Sequence, residues 1–196
     1  QELGAESPAE LRAIPAEELL HRANALRPGA AGGTLDGYVF PRLPEEILAA
    51  GEQAHVPLLV GWNSSEGHYQ GLLGEADPTP EAYEQAVRER FGEHAEDVLR
   101  LYPATNEQEV KQAATDLAGD GFIGYSTWKW ADLHSQTGGA PVYRYFYCKP
   151  RPPMVPEMGD AVAGLAGGVV RGEEAEDAPP PPETMGAVHS AEIEYA

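Results

Sequence analysis

The sequence predicts an α/β fold with a mostly parallel central sheet flanked by helices. Three observations carry that expectation. Residues 56–62 form a run that is nearly all apolar and too short for a helix, which suits a strand buried on both faces of a parallel sheet. Residues 141–148, Pro-Val-Tyr-Arg-Tyr-Phe-Tyr-Cys, are rich in β-formers with partial alternation and read as a second strand. The stretch between them reads as a succession of helices.

The elements follow in order. Ser7-Pro8-Ala9-Glu10 is a capping box with proline at the first helical position, and Pro15 restarts a helix through Leu19, Leu20 and Ala23. Residues 29–33 are a glycine-bearing loop, and residues 35–41 are expected to hold a short extended segment. A brief helix over 45–51 ends at glycine. After the first strand, Thr79-Pro80 opens a helix with Tyr83, Ala86, Val87 and Phe91 on one face, closed by Gly92. Residues 93–102 form another helix, stopped by Pro103. Thr105 with Gln108 reads as a second capping box, ahead of a stripe of Val110, Ala113, Ala114 and Leu117. Residues 120–135 are expected to be helical, with Tyr125, Trp128, Trp130 and Leu133 packed in the core and some of those rings available to line a substrate gorge. Residues 150–182 are rich in Pro, Gly, Ala and acids and read as a long loop with no packed element.

Composition excludes more than it assigns. A chain of 196 residues can bury a core, and Trp62, Trp128 and Trp130 are available to anchor it. The formal net charge of -19 argues against nucleic acid and anionic membrane surfaces, both of which need a basic face. No apolar stretch approaches a membrane span. The single cysteine, Cys148, can form no internal disulfide and reads as a small core hydrophobe. Gln1-Glu2-Leu3-Gly4 has neither an initiator methionine nor a signal-peptide pattern, so the chain reads as an internal segment and leaves its compartment undecided.

The chemistry lies in two distant segments, Gly61-Trp62-Asn63-Ser64-Ser65-Glu66-Gly67 and Gly186-Ala187-Val188-His189-Ser190-Ala191-Glu192-Ile193. Each follows a strand, where open α/β sheets place their sites. The first offers an acid, Glu66, and the second a histidine, His189. Serine is a poor nucleophile until a histidine takes its proton, and the histidine needs a carboxylate to fix its tautomer. Glu66 and His189 are therefore the acid and base of an expected triad. Ser64 and Ser65 do not sit in a nucleophile-elbow pattern.

Other candidates carry less. His68 stands two residues after Glu66 and could pair with it, although a solvated or structural role fits as well. His189 and Glu192 have the i, i+3 spacing of a metal pair but no third ligand nearby, and Glu192 reads better as a group beneath the site. His21, His55, His94 and His134 sit in polar or helical contexts. Asp120 reads as a buried structural carboxylate beside the aromatic helix, and the acidic loop before His189 as a solvated insertion or a lid.

The two segments resemble the Gly-x-Asn-x-x-Glu-Gly and Gly-x-x-His-x-x-Glu-Ile segments of type-B carboxylesterases and cholinesterases, which carry the triad acid and histidine. Asp36-Gly37-Tyr38-Val39-Phe40-Pro41 and Pro141-Val142-Tyr143-Arg144-Tyr145 are similar to the family's segments ahead of them. The four matches occur in the family's order and cover most of the chain. The resemblance implies the C-terminal half of an α/β-hydrolase, a single partial domain over 1–196 with the acidic Pro/Gly-rich loop 150–185 inside it. It implies a small-molecule ester as substrate and no metal or organic cofactor. It places the serine nucleophile and oxyanion hole in a missing upstream half of the same fold, so that this chain alone is inactive and exposes unpaired sheet edges. Trp62, Tyr69, Phe122 and Trp128 are candidate wall residues. The competing reading is a cholinesterase-like adhesion or interaction module without catalysis, which retention of both Glu66 and His189 disfavours.

Overall fold

A computed structural model of the chain describes residues 3–26, 33–152, 154–163, 168–172 and 186–193. They divide into two compact units, Gln1–Glu46 and Ile47–Ala196. In the first, α1 (Pro8–Ala13) opens as its capping residues dictate, Ser7 Oγ accepting from the Glu10 N–H. Next comes α2 (Ala16–Leu26), whose Arg22 donates to the Leu3 carbonyl at 2.8 Å. Residues 35–41 are not extended. Asp36 Oδ1 accepts from the N–H groups of Tyr38, Val39 and Phe40 and curls the segment into a turn, since a short acidic side chain competes well for nearby backbone donors. The bonds from Tyr38 foremost hold the Asp36 carboxyl below its ordinary range. The brief helix α3 (Pro44–Ala49) follows.

In the second unit β1 (Leu58–Asn63) and β2 (Val142–Tyr147) pair in parallel, Leu58 opposite Val142 and Asn63 opposite Tyr147. Parallel neighbours need a crossover, and the intervening chain supplies it as five helices. These are α4 (Gln70–Leu73), α5 (Pro80–Phe91), α6 (Ala95–Leu101), α7 (Glu107–Gly119) and α8 (Tyr125–Thr137). The largest core cluster lies among α4 to α7, where Tyr83, Val87, Val110 and Ala114 are fully enclosed. The Tyr83 hydroxyl donates to the Tyr102 carbonyl at 2.8 Å. Burial, with Asp116 nearby, pushes this phenol up to about 12.

Several expectations are corrected here. The strands are not buried on both faces: Leu59, Tyr143 and Phe146 are well exposed, because among the described residues α8 is the helix packed on both strands. The aromatic stripe of α8 is not core either. Tyr125, Trp128 and Trp130 are exposed while Thr127, Ala131, Leu133 and His134 are buried. Small side chains let a helix approach a strand closely, and the large rings are left on the other faces. Cys148 is exposed, one residue past the end of β2 where the chain has left the sheet. The loop after β2 contains a 3₁₀ turn (Pro156–Met158) and a short antiparallel pair, β3 (Val162–Ala163) with β4 (Val169–Val170). The acidic proline run at 173–185, and with it the expected lid, lies outside the described residues, as does most of the glycine loop at 29–33.

The second capping box is also displaced. Asn106 rather than Thr105 caps α7, its Oδ1 accepting from the Glu109 N–H at 3.0 Å. The Glu109 carboxylate reaches back to the N–H and hydroxyl of Thr105. Asn106→Ala is therefore expected to cost about 1 kcal/mol, and Thr105→Ala clearly less, in a urea denaturation series.

Candidate active site

The acid loop begins where β1 ends. Pairing with β2 continues one step further, the Ser64 N–H donating to the Tyr147 carbonyl at 2.9 Å. The chain then takes a new parallel partner: Ser65 bridges to Val188, and the Ser65 N–H donates to the Ala187 carbonyl at 2.8 Å. Ser64 Oγ accepts from the Ala187 N–H at 2.9 Å. The two serines that lack an elbow pattern thus serve as the seat of the histidine loop. Gly186 makes the approach possible, since a Cβ there would stand 2.3 Å from Ser64 Oγ and 2.5 Å from Ser65 Oγ.

This pairing sets Glu66 against His189, with Oε2 2.6 Å from Nδ1. The other carboxylate oxygen, Oε1, accepts from the Asn63 N–H at 2.7 Å. A carboxylate accepts only, so Nδ1 carries a proton and Nε2 is left as the ring's acceptor or exchangeable site. The acid side chain is 5 % exposed and the histidine side chain 39 %, so the ion is shielded while the base can be reached. Ser190, directly after His189, adopts φ 64°, a left-handed turn that swings the loop back, and Arg151 donates to its carbonyl at 3.2 Å.

Below this pair, Asn63 is almost fully buried and its Nδ2 donates to the Val188 carbonyl at 2.8 Å and to Glu192 Oε2 at 2.6 Å. Burial, with Glu192 and Glu66 adding to it, pushes the neighbouring Tyr145 phenol up, so it stays neutral beside the acids. Behind Glu66, a Cβ on Gly67 would lie 2.4 Å from the Gly119 nitrogen, so the acid loop rests directly on the end of α7.

There α7 passes into one π-helical turn, Asp120–Gly124, an irregularity that recurs at functional sites. The turn carries Phe122, whose ring meets the His189 ring edge-on at 5.3 Å between centroids. Phe122 also opens onto a cleft of about 550 Å³ walled by Trp62, Tyr102, Tyr125 and Trp128, with Arg90 and Asp120 as its charged members. The Tyr102 hydroxyl donates to Asp120 Oδ2 at 2.5 Å, and burial first, then this bond, raises the phenol above its usual range.

The structure sorts the candidates from sequence. Glu66 and His189 meet; His68 instead stacks on Tyr69. Trp62, Phe122 and Trp128 line the cleft, whereas Tyr69 packs against the helical core with Lys111 over its ring. Asp120 is exposed at the cleft rather than buried, because the π turn rotates it outward. His134 is buried and donates Nε2–H to the Val56 carbonyl, and His55 donates Nδ1–H to the Gly138 carbonyl, both structural bonds. The Glu192 carboxylate is engaged by Asn63, and the described residues hold no group of three or more His, Cys, Asp or Glu side chains placed for a metal. Sequence reasoning missed Asn63, Ser64, Ser65 and Gly186 as site builders; the one signal was their place inside the two motif segments.

A buried acid bonded to a reachable histidine, each on a loop past a parallel strand and beside an aromatic cleft, defines a partial α/β fold of the hydrolase kind. The chain belongs to the carboxylesterase family, whose profile matches residues 5–196. It is 34% identical over 129 residues to a fumonisin B1 esterase of Sphingopyxis macrogoltabida, a match covering 61% of this chain and 23% of that protein. It is 33% identical over 94 residues to a cocaine esterase of Oryctolagus cuniculus, covering 47% of this chain and 16% of that one. The matched stretches are thus less than a quarter of those relatives' own lengths. No helix among the described residues is long and apolar enough to cross a membrane.

Two consequences can be measured. Gly186→Ala should push the histidine loop off Ser64 and Ser65, and the far-downfield proton NMR signal of His189 Nδ1–H should disappear or move upfield. Asp116, half-buried beside Asp120 and Tyr83, has its carboxyl raised by burial. A raised carboxyl binds its proton more tightly folded than unfolded, so it subtracts stability as pH rises above the ordinary aspartate range. Asp116→Asn should flatten that fall when melting is followed across mildly acidic pH.

Proposed function

We propose that the chain is the acid- and base-bearing part of a serine carboxylesterase that hydrolyses carboxylic esters through a Ser-His-Glu triad. The observation that supports it best is the 2.6 Å contact between Glu66 and His189 beside an aromatic cleft, in a chain of the carboxylesterase family. On this reading the serine and the backbone N–H groups of the oxyanion hole come from a part of the fold outside this sequence, which contains no Gly-x-Ser-x-Gly. The substrate is a small-molecule ester whose apolar part lies in the cleft.

The chemistry runs in two halves. The serine oxygen bonds to the ester carbonyl carbon as His189 Nε2 takes the serine proton, and Glu66 balances the imidazolium. The tetrahedral oxyanion collapses, the C–O bond to the alcohol breaks, and His189 returns the proton to the departing alkoxide. Water then repeats the sequence on the acyl-enzyme, releasing the carboxylic acid and the free serine. Within each half the proton taken by His189 is the proton it gives back, so no net charge is left in the cleft.

The test is turnover of short-chain p-nitrophenyl esters by the longer enzyme that this reading requires. His189→Ala should lower kcat by about a millionfold, by analogy with loss of a triad histidine in a serine protease. Glu66→Gln, which leaves the wrong tautomer on His189, should cost about ten-thousand-fold. Folded variants as active as the parent would remove the triad reading. A folded parent that turns over no ester would favour the non-catalytic interaction module.

A further inference from the structure

We propose that Asn63 is a positioning residue that aims the His189 imidazole at Glu66 by holding the carbonyl of Val188. The proposal rests on the esterase reading above and assigns a function within it to a residue that touches neither substrate nor the reacting atoms. Asn63 is the last residue of β1, 2 % exposed, and it addresses both loops at once. Its backbone N–H occupies Glu66 Oε1 at 2.7 Å, which leaves Oε2 for the histidine. Its side-chain Nδ2 faces two acceptors, the Val188 carbonyl at 2.8 Å and Glu192 Oε2 at 2.6 Å. The amide can face them only in this orientation, since turned over it would set a third oxygen against two others.

The bond to Val188 is not needed to satisfy a buried carbonyl. The same oxygen already accepts from the Ala191 N–H at 3.0 Å. What the second donor adds is direction: it fixes the peptide plane that leads into the His189 Cα. The turn beyond is fixed independently, by the left-handed Ser190 and by Arg151 on its carbonyl. Glu192, within the same loop, anchors the amide from the far side and keeps it aimed. A buried asparagine with a purely space-filling duty would have its polar atoms paired at both ends, yet Asn63 Oδ1 is buried with no hydrogen bond among the described residues. Both amide protons go to the histidine loop and its helical continuation. The consequence is that strand register, through one side chain, is converted into imidazole orientation.

The experiment uses the longer enzyme and two readouts, ester turnover and the downfield proton signal of His189 Nδ1–H. Asn63→Leu removes both donors at similar volume. Asn63→Asp combined with Glu192→Gln keeps one hydrogen bond between those positions but offers Val188 no donor, and it serves if the leucine variant does not fold. Expected is a fall in kcat of about a hundred-fold at unchanged KM, the scale of a small misplacement, with the Nδ1–H signal weakened or shifted upfield. Glu192→Gln alone keeps an acceptor for Asn63 and should leave both readouts near the parent's. Folded position-63 variants that keep the parent's kcat and signal overturn the proposal, and so does a loss confined to KM or to melting temperature. Should His189→Ala and Glu66→Gln prove as active as the parent, the esterase reading fails by itself. The NMR signal of the Asn63 variants would then still report whether Asn63 orients the pair.

Discussion

The parallel pairing of β1 with β2 does not stop where the strands do, and the rest of the site depends on how it continues. One further hydrogen bond, Ser64 to Tyr147, carries the acid loop along the same direction, and Ser65 then trades that partner for Val188. A loop that would otherwise have many conformations is thereby given a strand-like seat, and the histidine one residue beyond inherits its position. Because β pairing fixes both spacing and side, His189 lands over Glu66 rather than beside it. The bond between them contributes little to holding the loops together; the backbone pairing beneath it does that.

Close backbone approach recurs on the other side of the acid. Gly67 and Gly119 let the acid loop touch the end of α7, and the π-helical turn that follows brings Phe122 edge-on to His189. An ordinary helical continuation would rotate the residues after Gly119 by a fraction of a turn and direct another side chain at the histidine. The acid, the base and the aromatic cleft therefore share one support. A formal charge of -19 makes this arrangement demanding, since a further carboxylate near Glu66 would oppose its ionisation. The nearest other acid, Glu192, is separated from it by Asn63, which donates to both, one through the backbone and one through the amide.

Helix starts were legible wherever a polar residue, a proline or a glycine acts on its own few neighbours. Ser7 before Pro8, Thr79 before Pro80 and Gly92 behave as their chemistry requires. The cap of α7 slipped by one residue because Thr105 and Asn106 both offer a side-chain oxygen three residues ahead of a possible partner, and only geometry chooses between them. The aromatic stripe of α8 was misjudged for a different reason. Hydrophobicity says that Tyr125, Trp128 and Trp130 gain by burial, but the distance between a helix and a strand admits Thr127 and Ala131 instead.

By itself the sequence determined the order of strands and helices, the identity of the acid and histidine, and their place on loops after strands. Those properties are local: short-range hydrogen bonding, apolar run length and the residue types that acid–base chemistry demands. Tertiary structure alone decided that Ser64 and Ser65 seat the histidine loop, that Asn63 joins Glu66 to Glu192, and that Phe122 rather than Tyr69 faces His189. Each of these contacts joins residues far apart along the chain. Strand register and helix phase set them, and both are fixed only when the elements pack.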